Sequence, residues 1–258
     1  MSVEPERRAH GFVAGVSFLT RIPVGATIGE RDIAASVAWF PVVGALVGAV
    51  SGAVYLLACE AWPPLVASLL AVGASIAITG AFHEDGLGDT ADAFGAASTG
   101  RDPQPVLKDP RMGTFGVVAL VLVIGLRVAL VASLVPRAGA LALIAAHALA
   151  RGVSAATVVG APSTGGGLGS SFSALAPKWR GVVAVIIAVT IATICIGIAA
   201  PVALFLAAIA AWVQTRWAER TLGGVSGDVL GTIEQSGELV TLLVAVAFAA
   251  HVGSFPLV

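Results

Sequence analysis

Long apolar stretches alternate with short polar segments along most of the chain. A helix that crosses about 30 Å of hydrocarbon needs roughly 20 apolar residues. Seven stretches approach or exceed this length, at residues 33–59, 64–82, 115–135, 138–160, 181–200, 201–217 and 238–257. Because only Pro201 divides the fifth from the sixth, six spans are the alternative. The pattern predicts an all-α fold, a polytopic integral membrane helical bundle that forms one domain over residues 1–258.

Two further features of the pattern refine this architecture. Residues 11–24 are apolar but too short to cross a bilayer, so they predict an N-terminal interfacial or re-entrant helix. The second feature is the content of small residues in the spans, as in GALVGAVSGAV at 44–54, which allows neighbouring helices to approach closely.

The composition agrees with a membrane protein and excludes other classes. The chain is 57% hydrophobic and 11% charged, with a mean hydropathy of +0.96, whereas soluble domains are about 25% charged. The lipid bilayer is therefore the expected partner. A net charge of −1 gives no reason to expect a nucleic-acid partner. Cys59 and Cys195 lie in apolar stretches, and the sequence contains no C-x-x-C motif, so neither a disulfide framework nor a zinc site is expected.

The basic residues predict the orientation. If the N-terminus is inside, 11 of the 14 Lys and Arg residues fall on segments that share the inner side. This distribution predicts a cytoplasmic N-terminus and an outside C-terminus. It also places three polar segments, 83–114, 161–180 and 218–237, on the cytoplasmic face, where we expect the chemistry to lie.

The first of these segments contains HEDGLGDTAD at 83–92, with four carboxylates. Asp85, Asp89 and Asp92 are spaced i, i+4, i+7, which places them on one face of a helix. Carboxylates about 6 Å apart repel each other by some 2–3 kcal/mol at an effective dielectric near 20. Protons, arginines or divalent cations would neutralise them, and Mg²⁺ or Mn²⁺ suits hard oxygen ligands best. A solvated acidic helix start is the alternative, and Gly86 and Gly88 would weaken a regular helix there.

Basic residues downstream suit a phosphorylated ligand. Lys108 and Arg111 in KDPRMGTFG would meet phosphate oxygens, and Arg111 is able to do so bidentately. Ordinary positive-inside anchoring is the alternative for both. Within the fourth span, His147 and Arg151 share a helical face and would line a cavity reached from the cytoplasm; snorkelling of Arg151 is the alternative. Arg127 also needs a partner inside its span, and the sequence does not identify one.

The two remaining polar segments are less specific. The loop STGGGLGSSF at 163–172 lacks the lysine of a P-loop, so it is either a flexible linker or a substrate-contacting loop. The last segment offers Asp228, Glu234 and Glu238. Asp228 follows a glycine and either caps the next helix or contributes a further ligand.

Several of these motifs together resemble the cobalamin synthase family, also called adenosylcobinamide-GDP ribazoletransferases. The resemblance rests mainly on FHEDGLGDTADAFG at 82–95 and LKDPRMGTFG at 107–116. It extends in order through FLTRIPV (18–24), AWFPVVGALVG (38–48), HALAR (147–151), GLGSSF (167–172) and GDVLGTIEQSGEL (227–239). One mild departure is Gly88, where alanine is common in the family.

The resemblance implies a Mg²⁺-dependent enzyme of the bacterial cytoplasmic (inner) membrane. It would join adenosylcobinamide-GDP to α-ribazole or its 5′-phosphate and release GMP. A homo-oligomer and association with other nucleotide-loop assembly enzymes are left open. The implied metal ligands are Glu84, Asp85, Asp89 and Asp92; the implied catalytic residues are His83, Asp92 and Arg111; and the implied substrate-binding residues are Lys108, Arg111, His147, Arg151 and Asp228. The general base is left open between His83 and an aspartate.

Three other classes of membrane protein share some of these features. CDP-alcohol phosphotransferases also place aspartates four apart, but their motif has an arginine after D-G-x-x-A, which Asp85-Gly86-Leu87-Gly88-Asp89 lacks. Intramembrane prenyltransferases usually carry two separated aspartate-rich motifs, and one strong motif is present here. A cation-coupled transporter would suit the charges inside the spans, but no inverted repeat is evident.

Overall fold

The chain folds as a bundle of helices. The computed structural model describes residues 11–25, 27–164, 172, 174–251 and 255. The described helices, numbered in chain order, are α1 (Gly11–Leu19), α2 (Glu30–Ser36), α3 (Phe40–Cys59), α4 (Pro64–Thr79), α5 (Phe82–Ser98), α6 (Thr114–Ala132), α7 (Pro136–Gly160), α8 (Trp179–Ile196), α9 (Ala199–Thr221) and α10 (Gly227–His251). Short 3-10 turns occupy Val37–Trp39 and Val106–Lys108. Residues 1–10 and most of the glycine-rich loop 163–172 lie outside the described residues.

Most of these helices are suited to a bilayer. Within the described residues, six helical segments are long and apolar enough to cross a membrane: Arg31–Cys59, which includes α2 and α3, and α6 to α10. Their outward faces carry large apolar side chains, such as Val121, Phe205 and Trp212, which are 65%, 65% and 64% exposed. Apolar surface of this extent is stable only against another apolar phase. The prediction of a polytopic helical membrane protein is therefore confirmed.

The seventh span depends on one bend. α4 has 16 residues and reaches the length of a span only together with α5, from which it is bent by 91°. The bend is made by Gly80 and Ala81, whose φ angles are 68° and 56°. A left-handed alanine costs roughly 1–2 kcal/mol, so the surrounding structure must hold this turn in place. Segment 83–92 is helical throughout, although Gly86 and Gly88 were expected to weaken a regular helix there.

Two boundaries differ from those expected. The break between α8 and α9 falls at Gly197, whose φ is 60°, and Pro201 lies in the first turn of α9, where proline is tolerated. α10 begins at Gly227 and not near residue 238. Its first turns carry polar side chains that face the protein interior, so the apolar pattern alone places the start of this helix too late.

α7 lies at the centre of the bundle. Residues 145–155 are all buried, and α3, α8, α9 and α10 pack around them. Gly44, Gly48 and Gly52 of α3 form a stripe one turn apart that faces α7. A Cβ atom on Gly48 would lie 2.7 Å from both the Ile144 Cα and the Leu143 carbonyl oxygen. The close approach expected from the 44–54 segment is therefore present, and it fixes α7 against α3.

Replacing Gly48 with alanine is expected to lower the stability by about 1–3 kcal/mol, the usual cost of overpacking a tight interior contact. The new methyl group would meet backbone atoms of α7, which cannot rotate away. Thermal unfolding in detergent measures the effect. Gly73→Ala is the matched control, because a Cβ at Gly73 on α4 meets no atom within 4 Å. Equal melting temperatures for the two variants would contradict the prediction.

Candidate active site

The site is organised by the crossing of α5 and α10. A Cβ on Gly86 would lie 2.7 Å from the Asp228 carbonyl oxygen, and one on Gly231 would lie 3.1 Å from the His83 carbonyl oxygen. Thr232 Oγ1 donates a hydrogen bond of 3.1 Å to the Gly86 carbonyl. Because both helices present glycine at the contact, their backbones nearly touch. This contact brings the first turn of α10 beside the acidic face of α5.

A buried ionic network lies directly below this crossing. Arg127 of α6 is 1% exposed, and its Nη2 atom lies 2.5 Å from Glu238 Oε2. Its Nη1 atom lies 3.2 Å from Glu84 Oε1 and donates to Gln235 Oε1 at 2.9 Å. Gln235 Nε2 in turn donates to Glu84 Oε1 at 3.0 Å. The partners that Arg127 requires inside its span are therefore supplied by α5 and α10.

The same network continues to α7 and back to α5. Arg151 Nη2 lies 2.9 Å from Glu234 Oε1, and Arg151 Nη1 lies 3.2 Å from Glu238 Oε1. His147 Nδ1 contacts the Glu238 carboxylate. His83 Nε2 lies 2.5 Å from Glu234 Oε2. Arg151 and His147, predicted to bind substrate, are thus buried ion-pair partners, and that binding role stays a prediction.

A cavity of about 370 Å³ opens above the network. Its walls include His83, Asp228 and Glu234 on the polar side. The apolar side carries four phenyl rings, from Phe18, Phe40, Phe82 and Phe172. Apolar pockets with a few convergent polar groups are the usual form of ligand sites. The cavity therefore places His83 and Asp228, both predicted site residues, where they would face a bound molecule.

The carboxylates of α5 divide into two groups. Asp85 is exposed and Asp89 is half-buried. Both lie on α5, which is bent by 91° from α4 and carries too many charged residues to cross a bilayer alone. Burial, followed by the Asp85 and Asp228 carboxylates, raises the pKa of Asp89 from its ordinary 3.8 to about 6. Burial is the larger cause and the neighbouring carboxylates add to it, so the negative charge of Asp89 is unfavourable in this position. Asp85, Asp89 and Asp228 therefore form an acidic face that favours a cation.

Glu84 and Asp92 point elsewhere. Glu84 is 6% exposed and belongs to the buried network. Asp92 accepts hydrogen bonds from the backbone N–H groups of Gly113 at 2.6 Å and Gly116 at 3.0 Å. It thereby ties α5 to the start of α6. The structure gives both carboxylates a positioning role, and their predicted roles as metal ligands, with the catalytic role of Asp92, stay predictions.

The basic loop lies at the far end of α5. Lys108 is exposed, and Arg111 forms a bidentate pair with Asp109, with Nε donating to Oδ1 at 2.9 Å and Nη2 to Oδ2 at 2.7 Å. These hydrogen bonds lower the pKa of Asp109 to about 2. Arg111 also lines an open cleft of about 500 Å³ beside Arg101 and Asp92. A phosphate entering this cleft would compete with Asp109 for the guanidinium group.

The start of α10 carries two buried acidic residues whose role the sequence motifs do not indicate. Glu234 and Glu238 are one helical turn apart and 2% exposed, and they join α10 to α5, α6 and α7. The available signal was the presence of intramembrane Arg127 and Arg151, which require buried acidic partners. Asp228 lines the cavity, and the N-terminus of α10 is capped by Ser226, whose Oγ accepts from the Val229 N–H at 3.3 Å.

The fold and these contacts define a polytopic membrane protein with an acidic face, a polar-walled cavity and a basic cleft at one end of its bundle. The family model for cobalamin-5-phosphate synthase matches residues 11–246. The chain therefore belongs to the cobalamin-5-phosphate synthase family. The predicted family resemblance is confirmed.

Similar curated proteins carry one name, adenosylcobinamide-GDP ribazoletransferase. The protein from Bradyrhizobium diazoefficiens is 42% identical over 90% of this chain and 91% of its own length. The proteins from Ralstonia pickettii and Brucella anthropi are each 35% identical, over 88% and 89% of this chain and 91% and 94% of their own lengths. No solved structure matches the chain.

Replacing Arg127 with methionine is expected to destabilise the protein by about 3–5 kcal/mol, because it leaves the buried Glu84 and Glu238 carboxylates without their cation. Thermal unfolding in detergent measures this loss. Arg216→Met is the matched control, since the Arg216 side chain is 49% exposed and pairs only with Glu219, an interaction of at most about 1 kcal/mol. A loss for Arg127→Met no larger than for the control would contradict a structural role of the network.

Replacing Asp89 with asparagine is expected to raise the melting temperature of the metal-free protein at pH 7. Because the pKa rises from 3.8 to about 6 on folding, this group favours the folded state below its unfolded pKa, and that contribution is lost as the pH rises through the folded pKa. The gain should shrink as the pH falls from about 7 to about 4.

Scanning fluorimetry in the presence of EDTA measures this effect. The control is Asp102→Asn, because Asp102 is exposed and Oδ1 of the new amide still accepts from the Gln104 N–H, a bond of 3.0 Å in the native chain. If Asp89→Asn did not raise the melting temperature, or raised it equally at every pH, the result would contradict a raised pKa for Asp89.

Proposed function

We propose that this protein joins adenosylcobinamide-GDP to α-ribazole, or to its 5′-phosphate, and releases GMP. The product is adenosylcobalamin or its 5′-phosphate. The observation that carries the proposal is the family match over residues 11–246, together with relatives of that one name. These matches favour neither a CDP-alcohol phosphotransferase nor a cation-coupled transporter. The reaction forms a bond between a ribose oxygen and the cobinamide phosphate and breaks the bond from that phosphate to GMP.

The acidic face supports the binding of Mg²⁺. Asp85, Asp89 and Asp228 supply hard oxygen donors, which this ion prefers. Among the described residues, no three His, Cys, Asp or Glu side chains converge closely enough to hold a metal alone. That arrangement suits an ion completed by water and by phosphate oxygens of a substrate. When bound, Mg²⁺ would neutralise the diphosphate.

His83 is the general base that the structure favours. The Glu234 carboxylate holds its Nε2 atom at 2.5 Å, which leaves Nδ1 to accept the proton of a ribose hydroxyl in the cavity. A carboxylate that orients a catalytic imidazole is a recurring arrangement in enzymes. Glu234 is in turn held by Arg151. The buried ionic network below the cavity would therefore act on the reaction through the position of one imidazole ring.

The basic loop supports phosphate binding at the other end of α5. His83 and Asp92 are nine residues apart, about 14 Å along the helix at 1.5 Å per residue. The acidic face lies between them, so one extended substrate would contact the cavity, the acidic face and the cleft. Lys108 and Arg111 would offset charge on the departing GMP.

The cellular placement is also a proposal. The distribution of basic residues supports a cytoplasmic N-terminus and an active site that opens to the cytoplasm from the inner membrane.

An assay of the purified protein tests the function and the base together. Protein in detergent, supplied with adenosylcobinamide-GDP and α-ribazole, is expected to release GMP only when Mg²⁺ is present. His83→Gln is expected to lower kcat by about 10²–10⁴-fold, the usual contribution of a general base. His251→Gln is the matched control, because His251 is exposed at the end of α10.

The possible outcomes separate three claims: the function, the role of Mg²⁺ and the identity of the general base. Folded wild-type protein that releases no GMP would overturn the proposed function. GMP release that is unaffected by chelation of divalent cations would overturn the role of Mg²⁺. Near-normal kcat in His83→Gln would assign the proton to a different group.

A further inference from the structure

We propose that the phenylalanine-lined cavity binds the benzimidazole base of α-ribazole and so presents the ribose to His83. This inference rests on the proposed function and names the place of one of its two substrates. The lining of the cavity, its size and the arrangement of its polar and apolar parts support this assignment.

The apolar side of the cavity is a continuous aromatic surface. The Phe18 ring centroid lies 4.8 Å from that of Phe172, 5.4 Å from that of Phe82 and 5.8 Å from that of Phe40. The rings come from α1, α3, α5 and the segment that precedes α8, so four distant parts of the sequence converge here. A planar aromatic ligand gains both apolar burial and ring contacts in such a place.

The aromatic surface leads directly to the reacting end. The Phe82 and His83 rings are neighbours, with centroids 5.1 Å apart, and His83 lies on the polar wall with Asp228 and Glu234. A nucleoside whose base lies among the phenyl rings would therefore place its sugar beside His83. The apolar and polar parts of the cavity match the two parts of a nucleoside with an apolar base.

The aromatic lining argues against guanine as the occupant. The edge of guanine carries several donors and acceptors that need partners when buried. The four phenyl rings that would surround a base in this cavity offer it no such partners. The base of α-ribazole has methyl groups on its outer edge and one ring-nitrogen acceptor, so it needs far fewer of them. A volume of about 370 Å³ lies near the lower end of the range for ligand pockets, which suits a nucleoside better than a corrin macrocycle.

Phe18→Ala tests the assignment, because Phe18 lies on α1, outside the catalytic helix. We expect the KM for α-ribazole to rise about tenfold or more, as is typical when an aromatic ring that stacks on a base is lost. The KM for adenosylcobinamide-GDP should stay within about twofold of that of the wild type, since only the base loses a contact. Phe205→Ala is the matched control, because Phe205 is 65% exposed on the outer face of α9.

A second variant keeps the test decisive if Phe18→Ala folds poorly. Val158→Phe adds a phenyl ring to the α7 wall of the cavity. The ring would occlude part of the cavity and should therefore weaken the binding of α-ribazole. Titration calorimetry with α-ribazole alone gives a Kd for each protein without turnover, and the same order of affinities is expected.

The outcomes distinguish the cavity from the function. Wild-type protein that forms no product would overturn the proposed function and, with it, this assignment. Normal turnover with an unchanged KM for α-ribazole in both folded variants would overturn the assignment alone. A rise confined to the KM for adenosylcobinamide-GDP would assign the cavity to that substrate and would also overturn the proposal.

Discussion

The buried ion pairs of Arg127 and Arg151 are the constraint on which the rest of the structure depends. An arginine in the middle of a span costs at least about 2.5–3.5 kcal/mol, so each must be paired. Their acidic partners are Glu84, Glu234 and Glu238, which are carried by α5 and α10. Satisfying the two cations therefore fixes α5, α6, α7 and α10 relative to one another. His83 and His147 complete the network through their contacts with Glu234 and Glu238.

The position of α5 follows from this requirement. Glu84 points inward to Arg127, and its neighbour Asp85 points outward, so one helix supplies both the network and the acidic face. The sharp left-handed turn at Gly80 and Ala81 makes that orientation possible at the end of α4. Backbone strain of this kind persists where the surroundings determine it and is concentrated at functional sites. Here the strained turn directly precedes Phe82 and His83, both of which line the cavity.

The sequence predicts the architecture well because hydropathy and helical periodicity are local properties. The spans, the small-residue contact of α3 and the helical face of Asp85 and Asp89 all depend on residues close in the chain. The partner of Arg127 could not be predicted, since Glu84 and Glu238 reach it from helices distant in sequence. The start of α10 was placed too late for the same reason: its polar first turns are buried by contacts with other helices, which hydropathy does not record.

The clustering of acidic residues at 83–92 therefore has two separate physical causes. Glu84 is required by a buried arginine and Asp92 by the backbone N–H groups at the start of α6, so both stabilise the fold. Asp85 and Asp89 lack a comparable internal partner among the described contacts. Burial, followed by the neighbouring carboxylates, raises the pKa of Asp89, so its negative charge is unfavourable there. Unfavourable charge that serves no structural contact is typical of a binding site. The proposed cation and diphosphate supply the missing counter-charge and explain why these two aspartates lie between the cavity and the basic cleft.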